Sequence, residues 1–426
     1  MTYEDLVNQM NSSMLAGHDD RVTLLKEVLA TIGHPDLKYK IIHLAGTNGK
    51  GSTGTMTADL LNQQGYQVGH FASPAMVDLR EQIQINGRMI SKNEFVKVYE
   101  FINRKLPQDI KSNDLTVFEW FTLIMLQYFA DQHVDWAVIE AGLGGLTDST
   151  NAIEPPLLTI FTHIDLDHTN ILGNTIKLIA YNKSQIIKKG TTVFVAPHQD
   201  DAAMTILKNT SVENGAAELD LPDSIKIDVN HENLSGFDLT VNSKTLNEHL
   251  FHFNLLGDFQ LDNLTTVIMV YDWLIDHQMI EDWHPLAKMM NTISIPGRMQ
   301  QLTKRPPVFL DGAHNPDGTR QLMRSMGHLF FDYHWIFVVG FLKDKNYLEM
   351  ARLYRKYGAK IFLTKPDNPE RALPEEELHN LLPDAAMVYD ARDGLQQALV
   401  ASDDHSVIVV TGSFYLIKEL EQSNES

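Results

Sequence analysis

Cysteine, long apolar runs and positive charge are scarce in this sequence. The 426 residues include no cysteine, which excludes disulfides and thiolate metal sites and fits a reducing compartment. No apolar run approaches the roughly 20 residues of a membrane-spanning helix, and the acidic start MTYEDLVNQM is unlike a signal peptide. Lys and Arg number 35 against 55 Asp and Glu, and the formal charge of −20 argues against nucleic acid or anionic membrane as a partner. We therefore expect a soluble, cytoplasmic globular protein in which any attraction for anions is local.

The order of apolar runs predicts an α/β fold in two domains. Short strand candidates alternate with helical stretches in both halves, among them KYKIIHLAG, DWAVIEAG and LLTIFTH, and later PVFLDG, HWIFVVG, AKIFLT and SVIVVTG. Residues Ile225 to Leu256 alternate more strictly, which predicts antiparallel hairpins appended to the main sheet. Pro296 and Gly297 interrupt the pattern. We predict a first domain over 1–295, a linker over 296–300 and a second, doubly wound domain over 301–426.

A glycine-rich loop, HLAGTNGKGSTGTM, follows the first strong strand and precedes a predicted helix from Ser52 to Gln64. It departs from the Walker pattern, because Leu44 stands where the first Gly belongs and Gly51 separates Lys50 from Ser52. Strand, turn and helix N-terminus together favour phosphate, which backbone N–H groups and the helix dipole attract. Lys50 is placed to reach outer phosphates. An ordinary βα turn is the alternative.

Acidic and histidine residues follow two further strands. Glu140 ends DWAVIE, where α/β sheets place their ligands, and is a candidate magnesium ligand or a structural carboxylate. The run THIDLDHTN offers His163, Asp165, Asp167 and His168. This run has three interpretations: a dinuclear zinc hydrolase, a single hard-metal ligand at His168 or Asp167 facing Glu140, or structural histidines.

Lys183 lies in IAYNKSQII, on a predicted helix whose apolar face includes Ile179, Ile186 and Ile187. This spacing places Lys183 at the edge of that face, from which it could point toward the strand ends. A solvated surface lysine is the alternative.

The segments AGTNGKGS, FASP, VIEAGLGGLTDSTNAI, LDHTNILG, NKSQII, PGRMQ and LDGAHNPDG occur in the order found in folylpolyglutamate synthases. The sequence resembles this folate branch of the Mur-ligase superfamily over nearly its whole length. The resemblance implies a Mur-ligase-like ATPase domain, with a mostly parallel sheet and a small antiparallel sheet, followed by a Rossmann-like domain. It also identifies the loop as the family's regular phosphate loop.

The resemblance implies a set of site residues. Catalysis would involve Lys50, Glu140, His168 and Lys183, the last as a carbamate formed with CO2. The magnesium ligands would be Ser73, Glu140 and His168. The ATP contacts would be Thr47, Asn48, Gly49, Lys50, Gly51, Ser52, Thr53, Asn263, Arg298, Asp311 and His314.

The implied activity is ATP-dependent addition of L-glutamate to the γ-carboxylate of a reduced folate through an acyl phosphate. The cofactors would be ATP and Mg²⁺ at two sites, with a monovalent cation such as K⁺ as a further candidate, in a monomer without nucleic-acid or membrane partners. Ala75, Gln82, Phe259 and Asp165 depart from the usual pattern, and the first two fall near the family's pterin region, which leaves the folate form open.

Several rival functions stay open at this point. Dihydrofolate synthase activity on dihydropteroate, alone or together with polyglutamylation, is the nearest. A UDP-muramoyl peptide ligase is more distant, because only about 45 residues precede the loop, too few for a UDP-binding domain. A nucleotide-binding regulator without catalysis is the non-enzymatic alternative.

Overall fold

A computed structural model of the chain describes residues 1–12 and 20–421. Its helices are α1 (Tyr3–Ser12), α2 (Arg21–Ile32), α3 (Lys50–Gln63), α4 (Lys92–Asn103), α5 (Val117–Asp131), α6 (Thr169–Leu172), α7 (Ile176–Ser184), α8 (Asp201–Glu213), α9 (Phe259–Asp276), α10 (His284–Thr292), α11 (Pro316–Leu329), α12 (Tyr347–Tyr357), α13 (Glu375–Leu381), α14 (Ala391–Ala401) and α15 (Phe414–Glu421). None of these helices combines the length and apolar character needed to cross a membrane.

The strands form three sheets. They are β1 (Lys40–Ala45), β2 (Val68–Phe71), β3 (Ile83–Ile85), β4 (Arg88–Met89), β5 (Trp136–Glu140), β6 (Leu158–Phe161), β7 (Thr192–Val195), β8 (Glu218–Asp220), β9 (Lys226–Asn233), β10 (Gly236–Asn242), β11 (His249–Phe253), β12 (Gln300–Lys304), β13 (Pro307–Leu310), β14 (His334–Val339), β15 (Lys360–Leu363), β16 (Ala386–Met387) and β17 (Ser406–Thr411). All seven quoted strand candidates are confirmed.

The largest sheet has eight strands in the order β4-β3-β2-β5-β1-β6-β7-β8. Its six strands from β2 to β8 run parallel, and only β3 and β4 pair antiparallel at one edge. Helices cover both faces, as parallel strands require, because each crossover returns over the sheet. One apolar core lies under α3, α9 and α10, another lies under α2, α4 and α5, and a third lies around α7 and α8. The carboxyl ends of β1, β5 and β6 therefore meet at one edge.

The antiparallel hairpins predicted between Ile225 and Leu256 are present as β9, β10 and β11. They are not appended to the main sheet, and this expectation is wrong. They form a separate three-stranded sheet whose apolar side, including Phe237, Leu239 and Phe253, joins the core around α9 and α10. The helices α9 and α10 cover the apolar face of the hairpins, so the hairpins do not need to pair with an edge strand of the large sheet.

The C-terminal part of the chain, from β12 onward, forms a six-stranded sheet in the order β12-β13-β17-β14-β15-β16. Its strands are parallel except for β12, which pairs antiparallel with β13. Two further apolar cores lie against this sheet, one on each face. Separate folding of 1–295 and 301–426 around a linker at 296–300 stays a prediction.

Candidate functional site

The phosphate loop joins β1 to α3 in a conformation that requires glycine. Gly49 is the N-cap of α3 with φ of 92°, and a Cβ there would lie 2.4 Å from Oδ1 of Asn263. At Gly46 a Cβ would lie 1.8 Å from Oγ1 of Thr162, on the neighbouring strand end. The helix begins at Lys50, two residues earlier than predicted, so that Lys50 lies in its first turn. The loop amides and the helix N-terminus therefore face the same space, as anion sites require.

Two lysines converge on this loop. The Nζ atoms of Lys50 and Lys183 each donate a hydrogen bond of 2.8 Å to the carbonyl of Gly46. Lys183 is 5% exposed, so the interpretation as a solvated surface lysine is wrong. Burial first, and the charge of Lys50 second, lower the pKa of Lys183 to about 7. Burial also lowers the pKa of Lys50, against the opposing effect of Glu140. Both amines are thus held beside the phosphate loop with little water.

Glu140 ends β5 with only 1% of its surface exposed. Its Oε1 atom lies 3.3 Å from Nε2 of His70, which belongs to the neighbouring strand β2. Ser73 follows two residues after the end of β2, in the connection that begins the implied substrate region. A carboxylate, a hydroxyl and an imidazole therefore come from two adjacent strand ends, a donor set that suits a divalent cation.

His168 and Asp167 lie beyond the end of β6 and contact the C-terminal part of the chain. Nζ of Lys345 donates to Oδ1 and Oδ2 of Asp167 at 2.8 and 3.0 Å and lies 3.1 Å from Nε2 of His168. Lys345 is only 5% exposed at its side chain. Burial raises the pKa of Asp167, but Lys345, His314 and His168 outweigh it, and the net shift is downward.

The zinc-hydrolase interpretation needs the four residues of this run together, but the structure divides them, because Asp167 and His168 contact Lys345. Among the described residues, the possible ligand cluster at this place is His163, Asp165 and Asp317, without His168. His163 lies 3.6 Å from Asp317, and Asp165 lies 3.6 Å from Arg320. The carbonyl of Asp165 instead accepts a 2.8 Å hydrogen bond from the hydroxyl of Thr47, which braces the phosphate loop.

Three implied nucleotide contacts belong to the C-terminal part. The buried carboxylate of Asp311 accepts from the backbone N–H groups of Met299 and Ala313 at 3.0 and 2.9 Å. Burial raises the pKa of Asp311, although Arg298 opposes the shift. The pKa of His314 falls to about 4, because of burial first and the charge of Lys345 second, so His314 is neutral at pH 7.

A cavity lies between the two parts of the chain. Its walls include Asn48, Gly49, Ser52, Asn263, Arg298, Asp311 and His314. The hydroxyl of Thr53 borders it through a 3.3 Å hydrogen bond to Asn263, and Gly51 approaches within 3.9 Å of Arg298, measured from an ideal Cβ. The cavity therefore joins phosphate-loop residues to the implied contacts from beyond residue 295.

Polar side chains from both parts close the cavity at the loop. Asn48 donates a 2.7 Å hydrogen bond to Oδ2 of Asp317 and accepts one of 3.0 Å from Asn315. The sequence interpretation did not single out Asn315 or Asp317, although both lie within LDGAHNPDG. It also missed His70, which lies on β2, a strand not among the quoted candidates, and Lys345, which lies in the loop after β14.

Family models match both parts of the chain: the Mur ligase middle domain over residues 44–271 and the Mur ligase glutamate ligase domain over 297–414. A dihydrofolate synthase/folylpolyglutamate synthase of Bacillus subtilis is 31% identical over 99% of this chain and 98% of its own length. The chain belongs to this family of Mur ligases.

A folylpolyglutamate synthase of Lacticaseibacillus casei is also 31% identical, over 99% of both chains. A solved Mycobacterium tuberculosis folylpolyglutamate synthase complexed with ADP is 25% identical, with a TM-score of 0.87 over 99% of this chain and 98% of that one. The family is thus matched along the full length, and the Mur-ligase fold and the ligase class predicted from the sequence are confirmed.

Proposed function

We propose that this chain joins L-glutamate to the γ-carboxylate of a reduced folate at the expense of ATP. The observation that carries the proposal is the convergence of Lys50 and Lys183 on the Gly46 carbonyl, beside a cavity walled by Arg298 and Asp311. A reaction between two anions, a carboxylate and a triphosphate, requires cations where they meet, and Lys50 and Arg298 would supply them. The Bacillus subtilis and Lacticaseibacillus casei relatives carry the corresponding names.

The chemistry has two steps. The folate γ-carboxylate oxygen attacks the γ-phosphorus of ATP, the bond to the β-phosphate oxygen breaks, and ADP leaves. The amine of glutamate then attacks the acyl carbon, loses a proton to solvent, and displaces inorganic phosphate. Lys50 and the loop amides would hold the phosphates, and Arg298 would add a planar, forked contact. Because the cavity lies between the two parts, their closure would exclude the water that hydrolyses an acyl phosphate.

Ser73, Glu140 and His168 would hold Mg²⁺, with a carbamate on Lys183 as a further oxygen ligand. The fit rests on Glu140, a buried carboxylate that faces a histidine rather than a lysine or arginine. Bound there, the ion would neutralise charge on the transferred phosphoryl group. A second Mg²⁺, a monovalent cation such as K⁺, a monomeric state and a cytoplasmic location complete the proposal.

Carbamylation of Lys183 requires a neutral amine. Its nitrogen attacks CO2, forms a C–N bond and releases one proton, and an amine with a pKa of about 7 is largely neutral at pH 8. Burial thus prepares Lys183 for the modification.

Dihydropteroate is the second candidate acceptor, because the Bacillus subtilis relative bears both activities in its name. The departures at Ala75 and Gln82 lie in the implied pterin region and do not decide between the two acceptors.

The test offers dihydropteroate and tetrahydrofolate in parallel, with ATP and labelled glutamate. We expect label in at least one product and ADP release that depends on both glutamate and acceptor. Lys50→Ala should abolish most turnover, whereas Lys26→Ala, a matched exposed lysine, should not. Near-normal turnover by Lys50→Ala, or ADP release without acceptor, would contradict the proposal.

A further inference from the structure

His70 occupies a position beside the implied metal site that the family resemblance does not assign. It lies on β2, directly opposite Val138 of β5, and its side chain is 12% exposed. Its Nε2 atom points to Oε1 of Glu140 at 3.3 Å. Ser73 follows three residues later, so the histidine and the implied hydroxyl ligand come from the same strand end.

Among the described residues, no lysine or arginine pairs directly with Glu140, although Lys50 and Arg298 interact with its charge at longer range. In residues 1–12 and 20–421, His70 is the one basic side chain that comes within 4 Å of the Glu140 carboxylate. A carboxylate that is 1% exposed is costly to keep ionised unless a cation or several donors compensate it. The surroundings of Glu140 therefore favour a bound cation.

A glycine of α3 forms the third side of the space beside Glu140 and His70. A Cβ at Gly54 of α3 would lie 2.7 Å from Oε1 of Glu140 and 3.0 Å from Nε2 of His70. Both donor atoms thus converge against the same point of the helix, where any larger residue would displace them. Since Gly54 lies one turn after Lys50, this point is close to the phosphate loop.

The separation of the two donors suits shared coordination. A charge-assisted N–H···O bond is usually about 2.7–2.9 Å long, shorter than the 3.3 Å found here. Two adjacent ligands of an octahedral cation, each bonded at about 2.1 Å, lie about 3 Å apart. Imidazole nitrogen is a ligand for transition metals, whereas Mg²⁺ prefers oxygen.

We propose that His70 ligates the same divalent cation as Glu140 and that its nitrogen makes this site favour Mn²⁺ over Mg²⁺. The inference rests on the metal site of the proposed function but concerns a ligand and a selectivity that the site does not require. In this proposal His70 bonds the cation directly and does not merely orient Glu140.

The experiment is a Mn²⁺ titration of the full chain followed by electron paramagnetic resonance, with competition by Mg²⁺. Pulsed measurements of ¹⁴N modulation then count the imidazoles bonded to Mn²⁺. The variants are His70→Leu, His70→Asn, Glu140→Gln and, as a matched control, His249→Leu on the separate sheet, with thermal unfolding recorded for each. We expect His70→Leu to weaken Mn²⁺ binding about tenfold or more, to leave Mg²⁺ binding within about twofold, and to remove one nitrogen coupling.

Two outcomes would overturn the inference. Equal weakening of Mn²⁺ and Mg²⁺ with an unchanged nitrogen count would make His70 an orienting residue. Wild-type affinities in His70→Leu would make it a bystander. If Mn²⁺ binding does not depend on Glu140, the metal site of the proposed function fails instead, and the two failures are thereby distinguished. Should His70→Leu unfold, His70→Asn supplies the same comparison.

Discussion

Replacing Lys345 by Met should loosen the contact that joins the two parts of the chain at the site. Its ammonium bonds both oxygens of Asp167 and approaches His168, and it is 5% exposed against 12% for Asp167. Removing one member of a buried ion pair costs about 3–5 kcal/mol, and the partial exposure of Asp167 favours the lower end. A loss of about 3 kcal/mol corresponds to roughly 100-fold more frequent opening.

Hydrogen exchange measures this opening directly. The amides of Ile171 and Leu172 bond the carbonyl of His168, so they report on the segment that Lys345 holds. We expect their exchange to accelerate about 100-fold in Lys345→Met and to recover partly when Asp167→Asn removes the charge left unpaired. Lys343→Met removes the same charge from an exposed position of the same loop and should change little. Less than threefold acceleration, or an equal effect of Lys343→Met, would refute the reasoning.

Three further changes test the loop and its neighbours. Gly46→Ala places a Cβ where the Thr162 hydroxyl lies 1.8 Å away, so ADP affinity measured by calorimetry should fall at least about tenfold; an unchanged affinity would contradict the loop geometry. The pKa of Lys183 is about 7 against an ordinary 10.5, so its neutral fraction and the ¹³C carbamate signal at fixed dissolved CO2 should rise from pH 6 to 8. Between these pKa values the unfolded chain binds more protons, so the stability penalty of unmodified Lys183 should decrease as pH rises. A carbamate signal that does not depend on pH, or one that persists in Lys183→Met, would count against the modification of Lys183. Asp317→Ala removes the acceptor of the 2.7 Å bond from Asn48, and we expect weaker ADP binding by about 1–3 kcal/mol; an unchanged ADP affinity would contradict a role for this bond.

Local signals predicted the elements of the fold better than their assembly. The buried run IIHLA and the glycines after it predict strand, loop and helix, because periodicity and glycine chemistry act over a few residues. Thr116 and Glu119 likewise form a capping box, a pattern that spans only three residues. The resemblance implied the small antiparallel sheet of β9 to β11, whereas alternation alone predicted hairpins appended to the main sheet, because alternation shows that hairpins form but not which surface covers them.

Long-range contacts explain what the sequence could not predict at the site. Spacing alone favoured a solvated Lys183, and only the packing of α7 against the loop buries it. His70 and Lys345 acquire their partners across 70 and 177 residues of sequence, so no local pattern marks those pairings. The available signal was a polar residue near or after the end of a parallel strand, and that signal does not identify the side chain that the residue contacts.

The charge distribution explains why the site is built from two parts of the chain. The whole chain carries −20, yet Lys50 contacts the phosphate loop, Arg298 lines the cavity beside it, and Lys345 contacts Asp167 and His168. Lys50 and Lys345 come from different parts of the chain, so the positive charge that would face a triphosphate and the acceptor carboxylate would be complete only when the parts are closed. An open chain would then hold ATP without the charges needed to transfer its phosphoryl group, which protects ATP from unproductive hydrolysis. Breaking and re-forming of the contact between Lys345 and Asp167, and not the phosphate loop alone, would then limit how often the site is closed and able to transfer the phosphoryl group.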